Sequence, residues 1–183
     1  MITSDIILRD ITLDDLDSFY TLNHPSRKFH ELNGPYFKKR SEEELKEYCK
    51  SLKSKILYKD SALYTHSQLI ALKDSNQIIG QVSFYWVSKE TYWLDIGIVI
   101  FDENFWGKGV GEMALKLWIN NVFITHSEII RLGLTTWSGN LGMMKLAEKL
   151  GFQLEARIRK ARIVNGEYFD SVSYGILREE WTL

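Results

Sequence analysis

The sequence predicts a single α/β domain with mixed α and β segments, built on a mostly antiparallel sheet of about seven strands with about four flanking helices. Three observations support this fold class. Seven runs of residues have strand character, four have apolar residues at helical spacing, and the connections in the middle of the chain are short. A chain of 183 residues can bury one large core, so we expect one domain over residues 1–183.

The N-terminal part alternates strand and helix patterns. Ile6 to Arg9 has strand character, and a helical stripe of apolar residues begins after Thr12. The segment 23–40 shows neither period and contains both prolines, Pro25 and Pro35, which predicts a mobile loop. Ser41 and Glu44 have the spacing of a capping box, which predicts the start of a second helix.

Three strand-like runs follow, joined by short polar steps that predict an antiparallel meander: Ala62 to Lys73, Ile78 to Ser88 and Thr91 to Phe101. The third run is almost continuously apolar from Ile96 to Ile100. This pattern is typical of a strand buried on both faces, so we expect it at the centre of the sheet.

The C-terminal half predicts a parallel crossover and a hairpin. A helical pattern from Gly107 to Thr125 is followed by a strand from Ile129 to Trp137, which together have the length of a strand-helix-strand unit. A shorter helix from Asn140 to Leu150 ends at Gly151. The last two strands run from Phe152 to Val164 and from Tyr168 to Leu177, with a turn expected at Asn165-Gly166.

Composition argues against several functional classes. The formal net charge of -1 provides no overall field that would attract nucleic acid or an anionic membrane. The single cysteine, Cys49, excludes an internal disulfide, and the four histidines have no spacing typical of a metal site. The sequence has no signal-peptide pattern and no apolar run long enough to span a membrane, so the expected compartment is the cytoplasm.

The strongest local signal is a glycine-rich segment before the third helix, Trp106-Gly107-Lys108-Gly109-Val110-Gly111. Glycine lets a ligand approach the backbone closely, and the first turn of a helix presents N-H groups and the positive end of its dipole. These properties suit a pyrophosphate. A plain strand-to-helix turn is the alternative, because short glycine patterns recur by chance.

Two nucleotide-binding motifs fit this segment poorly. A mononucleotide P-loop needs Lys followed by Ser or Thr after its second glycine, and neither stands there. A dinucleotide fingerprint belongs to the first strand-helix unit of a parallel sheet, whereas here three strands of a meander precede it.

Three motifs in order resemble the GNAT superfamily of acyl-CoA-dependent N-acyltransferases: Asp95-Ile96-Gly97, the segment from Phe105 to Glu112, and Asn140 followed by Leu146 to Phe152. Among its branches, the sequence is most similar to the ribosomal-protein N-terminal acetyltransferases and the spermidine acetyltransferases. The resemblance extends from about Ile6 to Trp181 and implies an N-acetyltransferase that uses acetyl-CoA and no metal.

The resemblance also implies a set of site residues. Trp106 and the segment from Gly107 to Gly111, with Lys108 and Val110, would bind CoA, and the backbone of the segment would hold the pyrophosphate. The strand at Ile98, Val99 and Ile100 would hydrogen-bond the pantetheine arm, and Asn140 would face it. Asn140 is equally well explained as a helix N-cap. Asp95 occupies the position of the family's carboxylate base, with a structural acceptor as the alternative.

The sequence departs from the family pattern where a general acid is expected. Ala147 stands at the position of a frequent Tyr, and Met143 at the position of a Ser used in the ribosomal-protein branch. Trp106 replaces a frequent Gln or Arg before the loop. Ser138, two residues before Asn140, is the local hydroxyl that we consider as the acid, with a helix cap as its alternative role and water as the alternative donor.

The sequence does not determine whether the acceptor is a small-molecule amine, such as a polyamine or an aminoglycoside, or a protein N-terminus. Basic residues dominate 24–40 and acidic residues flank it, so charge does not decide. Trp86 or Tyr92 is a candidate for lining the acceptor cleft, with a place in the core or on the sheet as the alternative. The missing acid residues also allow a non-catalytic acyl-CoA sensor, and the sequence does not distinguish a monomer from a homodimer.

Overall fold

The computed structural model describes residues 5–34 and 38–182 and contains seven strands. These are β1 (Ile6–Arg9), β2 (Ser67–Leu72), β3 (Ile78–Ser88), β4 (Trp93–Ile100), β5 (Arg131–Trp137), β6 (Gln153–Val164) and β7 (Glu167–Leu177). They form one sheet in the order β1-β2-β3-β4-β5-β7-β6. β4 is the middle strand of the seven, as its sequence predicted.

Pairing in the sheet is mostly antiparallel. β2 runs antiparallel to β1 and to β3, and β7 runs antiparallel to β5 and to β6. The pair of β4 with β5 is parallel, with Leu94 opposite Leu132 and Asp95 opposite Gly133. The expected crossover is therefore confirmed.

The described residues contain five α-helices: α1 (Leu16–Asn23), α2 (Glu42–Leu57), α3 (Ala62–Thr65), α4 (Val110–Thr125) and α5 (Leu141–Lys149). Four of them correspond to the four predicted helices. The capping box at the start of α2 is confirmed, because Ser41 Oγ accepts a hydrogen bond from Glu44 N at 3.2 Å and Ser41 N donates to Glu44 Oε2 at 2.8 Å. None of the helices among these residues is long and apolar enough to cross a bilayer.

The described part of the chain divides into two compact units. The first contains residues 5–32, 38–83 and 98–114. Its core joins aromatic side chains of α1 and the following segment to the strands, and it contains Phe19, Phe29, Leu52, Leu69, Ala71, Ile78 and Phe101. Phe101 meets Phe19 edge to face at 6.0 Å between ring centroids.

Two predictions for this unit were wrong in part. The run from Ala62 to Lys73 is not a single strand, because α3 takes its first residues and β2 begins at Ser67. The segment 23–40 is not wholly irregular, because Lys28–Glu31 forms a 3-10 helix that buries Phe29. Pro35, the second proline of that segment, lies outside the described residues.

The second unit contains residues 33–34, 84–97 and 115–182. Its hairpin turns at Asn165 and Gly166, which both have positive φ, at 51° and 83°, as the sequence predicted. Gly151, with φ of 85°, ends α5 in the expected left-handed conformation.

The side chain of Arg178, which follows β7, caps the C-terminal end of α4. The Arg178 guanidinium donates hydrogen bonds to the carbonyl oxygens of Phe123 at 2.8 Å, His126 at 2.7 Å and Ile129 at 2.8 Å. It also lies over the Phe123 ring, 4.6 Å from the centroid. The last carbonyl groups of a helix have no intrahelical partner, and Arg178 provides one from another part of the chain.

Candidate functional site

The glycine-rich segment adopts the backbone that its sequence suggested. Gly107 and Gly109 have φ of 69° and 81°, a region in which other residues are strained. A Cβ atom at either position would meet no heavy atom within 4 Å, so the conformation requires glycine and packing does not. Gly107, Lys108 and Gly109 are all exposed.

Helix α4 begins at the end of this segment. Its first residue is Val110 and not Gly107, because the two left-handed glycines cannot belong to a right-handed helix. The Gly109 carbonyl accepts a hydrogen bond from Met113 N at 3.1 Å, which starts the helical ladder. The exposed backbone of two glycines in front of a helix start can accommodate an anionic phosphate.

Trp106 has a structural role at the entry of the loop. Its indole Nε1 donates a hydrogen bond to the Ile100 carbonyl at 3.0 Å, which ties the loop to the end of β4. Lys28 Nζ lies 5.9 Å from the centroid of the Trp106 ring. The residue that replaces the family's Gln or Arg is thus held in place by β4.

The second half of β4 is more open than the sequence predicted. Leu94, Asp95 and Ile96 are buried, whereas Ile98, Val99 and Ile100 are half-buried. The expectation that this strand is buried on both faces was therefore wrong for the part after Gly97. This part of β4 is therefore partly accessible to solvent.

Asp95 is a buried carboxylate in the second unit, with 5% of its surface exposed. Three side chains donate hydrogen bonds to it: Trp93 Nε1 to Oδ1 at 3.1 Å, Tyr85 Oη to Oδ2 at 3.3 Å and Thr135 Oγ1 to Oδ2 at 3.5 Å. Arg131 Nη1 lies 3.9 Å from Oδ1.

Opposing effects act on the pKa of Asp95. Burial, the largest of them, raises it, whereas the hydrogen bond from Trp93, the charge of Arg131 and the hydrogen bonds from Tyr85 and Thr135 lower it. Burial prevails and the pKa is raised from its ordinary value. A carboxylate with a raised pKa is a better proton acceptor than an ordinary one.

The structure corrects the role considered for Ser138. Asn140, and not Ser138, caps α5, since its side chain accepts a hydrogen bond from Met143 N at 3.1 Å. Ser138 instead pairs with β7, because its Oγ accepts from Asp170 N at 2.9 Å and its N donates to Asp170 O at 3.0 Å. Ser138 as the general acid, and Asn140 as a CoA contact, stay predictions.

None of the side chains that surround Asp95 was predicted from the sequence. Tyr85 and Trp93 donate hydrogen bonds to Asp95. That Trp86 or Tyr92 lines the acceptor cleft stays a prediction. Trp86 packs against His126 at 5.8 Å between ring centroids. The available signal was period 2: Trp93 and Asp95 are two residues apart in one strand and share a face.

The described residues contain no group of three or more His, Cys, Asp or Glu side chains that could hold a metal ion.

A family model described as an acetyltransferase (GNAT) domain matches residues 5–153. The chain belongs to the GNAT acetyltransferase family. A curated relative, the SPbeta prophage-derived uncharacterized N-acetyltransferase YokL of Bacillus subtilis, is 28% identical over 63% of this chain. The chain spans 64% of the length of that relative.

Two solved structures share the GNAT fold with this chain. Spermidine N-acetyltransferase from Vibrio cholerae, solved with CoA and spermine, has a TM-score of 0.71 and 20% identity, and the match covers 97% of this chain and 98% of that one. RimL, a ribosomal alpha-N-protein acetyltransferase solved with coenzyme A, has a TM-score of 0.71 and 20% identity, with 97% and 96% covered. At such identities the likeness establishes the fold.

Proposed function

We propose that this GNAT protein transfers an acetyl group from acetyl-CoA to a primary amine. The observation that carries the proposal is the Asp95 carboxylate, buried, with a raised pKa and surrounded by hydrogen-bond donors. Family membership supplies the reaction class. The open glycine backbone before α4 supports a role in holding the CoA phosphates.

Asp95 and solvent together provide the proton transfers of the reaction. Asp95 accepts a proton from the substrate ammonium, which leaves a neutral amine. The amine nitrogen then bonds to the thioester carbonyl carbon as the carbon-sulfur bond breaks, and the nitrogen loses its second proton to solvent. A thiol has a pKa near about 8.5, so the CoA sulfur leaves as a tolerable thiolate and takes its proton from water or from a hydroxyl such as that of Ser138.

The acceptor is proposed as a polyamine, another small amine or a protein N-terminus. The two solved neighbours support both groups, since one is named for spermidine and the other for a ribosomal protein. An anionic carboxylate next to the exposed Trp93 and Tyr85 rings suits a cationic amine of either kind.

A sensor that binds acyl-CoA without turnover is the second candidate. Ala147 is completely buried and has no proton to donate, and Met143 is no better donor, so the family's usual acid positions are inactive. Binding of CoA without product on any amine would favour this candidate.

The test is a panel of polyamines, aminoglycosides and N-terminal peptides incubated with acetyl-CoA and analysed by mass spectrometry. We expect an acetylated product, heavier than the acceptor by the mass of an acetyl group that replaces a proton. Asp95→Asn should lower turnover about 10- to 1000-fold at pH 7.

The pH dependence separates a base from a structural acceptor. The deficit of Asp95→Asn should shrink as the pH approaches the pKa of the amine, because the amine then loses its proton to solvent. A deficit that stays constant across pH would mean that Asp95 positions groups and accepts no proton.

A further inference from the structure

A row of residues across three strands makes room for charged side chains in the second unit. Asp95 of β4 stands opposite Gly133 of β5, and Gly133 stands opposite Gly175 of β7. A Cβ at Gly133 would collide with the Asp95 carboxylate, and one at Gly175 would collide with the Glu155 carboxylate. Glycine inside a strand weakens it, so these two positions indicate a close approach that other residues would block.

Arg131 lies between the two carboxylates and is held by one of them. Its Nε donates to Glu155 Oε1 at 3.4 Å and its Nη2 donates to Glu155 Oε2, so the guanidinium is bound in a two-point fork. The guanidinium also lies over the Trp93 ring, 5.4 Å from the centroid. These contacts set both the position and the plane of the cation.

The third nitrogen of Arg131 approaches Asp95 without bonding to it. Nη1 is 3.9 Å from Asp95 Oδ1, within ion-pair range but too far for a hydrogen bond. Nη1 is buried and has no hydrogen-bond partner among the residues that the structure describes. Leaving a buried donor without a partner is costly, which favours a hydrogen bond from Nη1 to Asp95. The fork with Glu155 opposes that movement.

The separation matters for a proton acceptor. A direct bond from a guanidinium favours the anion of a carboxylate and weakens it as a base. The groups that face Asp95 from neighbouring elements are the Tyr85 hydroxyl on β3, Arg131 on β5 and, beyond Arg131, Glu155 on β6. Arg131 is the cation among them, and Glu155 is the group that binds it.

We propose that Glu155 is a positioning residue for the reaction: by holding Arg131 in its fork, it keeps the guanidinium out of hydrogen-bond contact with Asp95. This inference rests on the proposed function, in which Asp95 accepts the proton of the amine. Glu155 acts through Arg131 and touches neither substrate nor reacting atoms.

The experiment compares pH profiles of kcat/KM for three variants. In Glu155→Gln, Arg131 loses its carboxylate partner and moves onto Asp95, so the acidic limb shifts to lower pH and the rate at neutral pH falls about threefold or more, as for a weaker base. In Arg131→Met, the cation is absent, so the limb shifts to higher pH. A general structural defect would not produce opposite shifts.

The double variant separates the indirect route from direct repulsion between the two carboxylates. If Glu155 acts through Arg131, the profile of Glu155→Gln with Arg131→Met matches that of Arg131→Met alone. If Glu155→Gln still shifts the limb in the Arg131→Met background, the positioning role is wrong. Equal profiles for the wild type and Glu155→Gln would overturn it as well.

A second measurement needs no turnover. Titration of the Asp95 carboxyl carbon by NMR in protein labelled at aspartate should show the same opposite displacements of the midpoint in the two single variants. An enzyme inactive on every amine would contradict the proposed function, and this titration would still decide the role of Glu155. Glu47→Gln, which removes an exposed 2.7 Å ion pair with Lys50, is the matched control and should displace neither midpoint nor limb.

Discussion

At the scale of the single residue, the surroundings of Asp95 change the pKa of its carboxyl group in opposite directions. Its burial raises its pKa, whereas the hydrogen bond from Trp93, the charge of Arg131 and the other hydrogen bonds lower it, with a raised pKa as the result. A fold that raises the pKa of an acid binds the proton more tightly than the unfolded chain does. Ionisation of the Asp95 carboxyl therefore costs the folded protein stability.

We expect Asp95→Asn to raise the free energy of unfolding at neutral pH. The stabilisation from a raised pKa is complete below the unfolded pKa and is lost as pH rises through the folded pKa, so ionised Asp95 is at a disadvantage at pH 7. Asparagine never ionises. Denaturant unfolding of both proteins should show the variant as the more stable at pH 7, and the advantage should vanish toward pH 4.

A wild type more stable than Asp95→Asn at pH 7 would contradict this prediction. It would mean that the hydrogen bonds of the anion outweigh its burial. The measurement concerns stability alone and does not depend on any acceptor.

The burial of Asp95 was predictable from its place in an apolar strand, but its surroundings were not, and its role as a base stays a prediction. Tyr85 and Trp93 contact Asp95, whereas the aromatic residues singled out for the acceptor cleft were Trp86 and Tyr92, each one position away. A shift of one residue in a strand moves a side chain to the opposite face. Register of this kind depends on pairing between distant segments, which a single sequence does not display.

At the scale of the element, the glycine loop was the most predictable part of the candidate site. Gly107 and Gly109 adopt positive φ, and the sequence had placed a ligand-binding turn there. Helix α3 was the least predictable element. Ser61 at its start makes no side-chain cap, so the usual signal of a helix N-terminus is absent, and four residues are too few to show a helical period.

We expect Gly109→Asp to weaken CoA binding through its side chain and its charge. The matched control is Gly166→Asp, in the turn between β6 and β7, since both glycines have φ near 80° and open space around a Cβ. Both variants should lose about 1 to 2 kcal/mol of stability from the left-handed backbone. Calorimetric titration should show reduced CoA affinity for Gly109→Asp alone.

Equal CoA affinities for the two variants would place the phosphates away from Gly109. A loss in both would indicate that affinity follows global stability. The comparison is direct because the backbone strain introduced is nearly the same.

At the scale of the whole molecule, the order of the strands and helices was predicted correctly in its main features. The central place of β4, the parallel crossover to β5 and the final hairpin were all predicted, and each arises from local signals: apolar runs, a helix between strands and an Asn-Gly turn. The partition into two compact units was not predicted, because it depends on contacts between segments far apart in the sequence.

CoA and acetyl-CoA should stabilise the whole protein, whereas NAD and ATP should not. A ligand that binds only the folded state adds about 2.7 kcal/mol at a hundredfold excess over its Kd. For a chain of this size that corresponds to a rise of about 5 to 10 °C in Tm. Thermal melts with each ligand provide the measurement, and a shift with NAD but none with CoA would contradict the proposed cofactor.

The contacts of Arg178 have a consequence for biosynthesis. The carbonyl groups of Phe123, His126 and Ile129 that it satisfies precede it by 49 to 55 residues. At a translation rate of about 5 to 20 residues per second, the C-terminal turn of α4 waits roughly 3 to 10 s on the ribosome before its partner exists. Folding of the second unit can therefore be completed only after β7 has been synthesised, and a nascent chain stalled before Arg178 should leave this helix end open to proteases and chaperones.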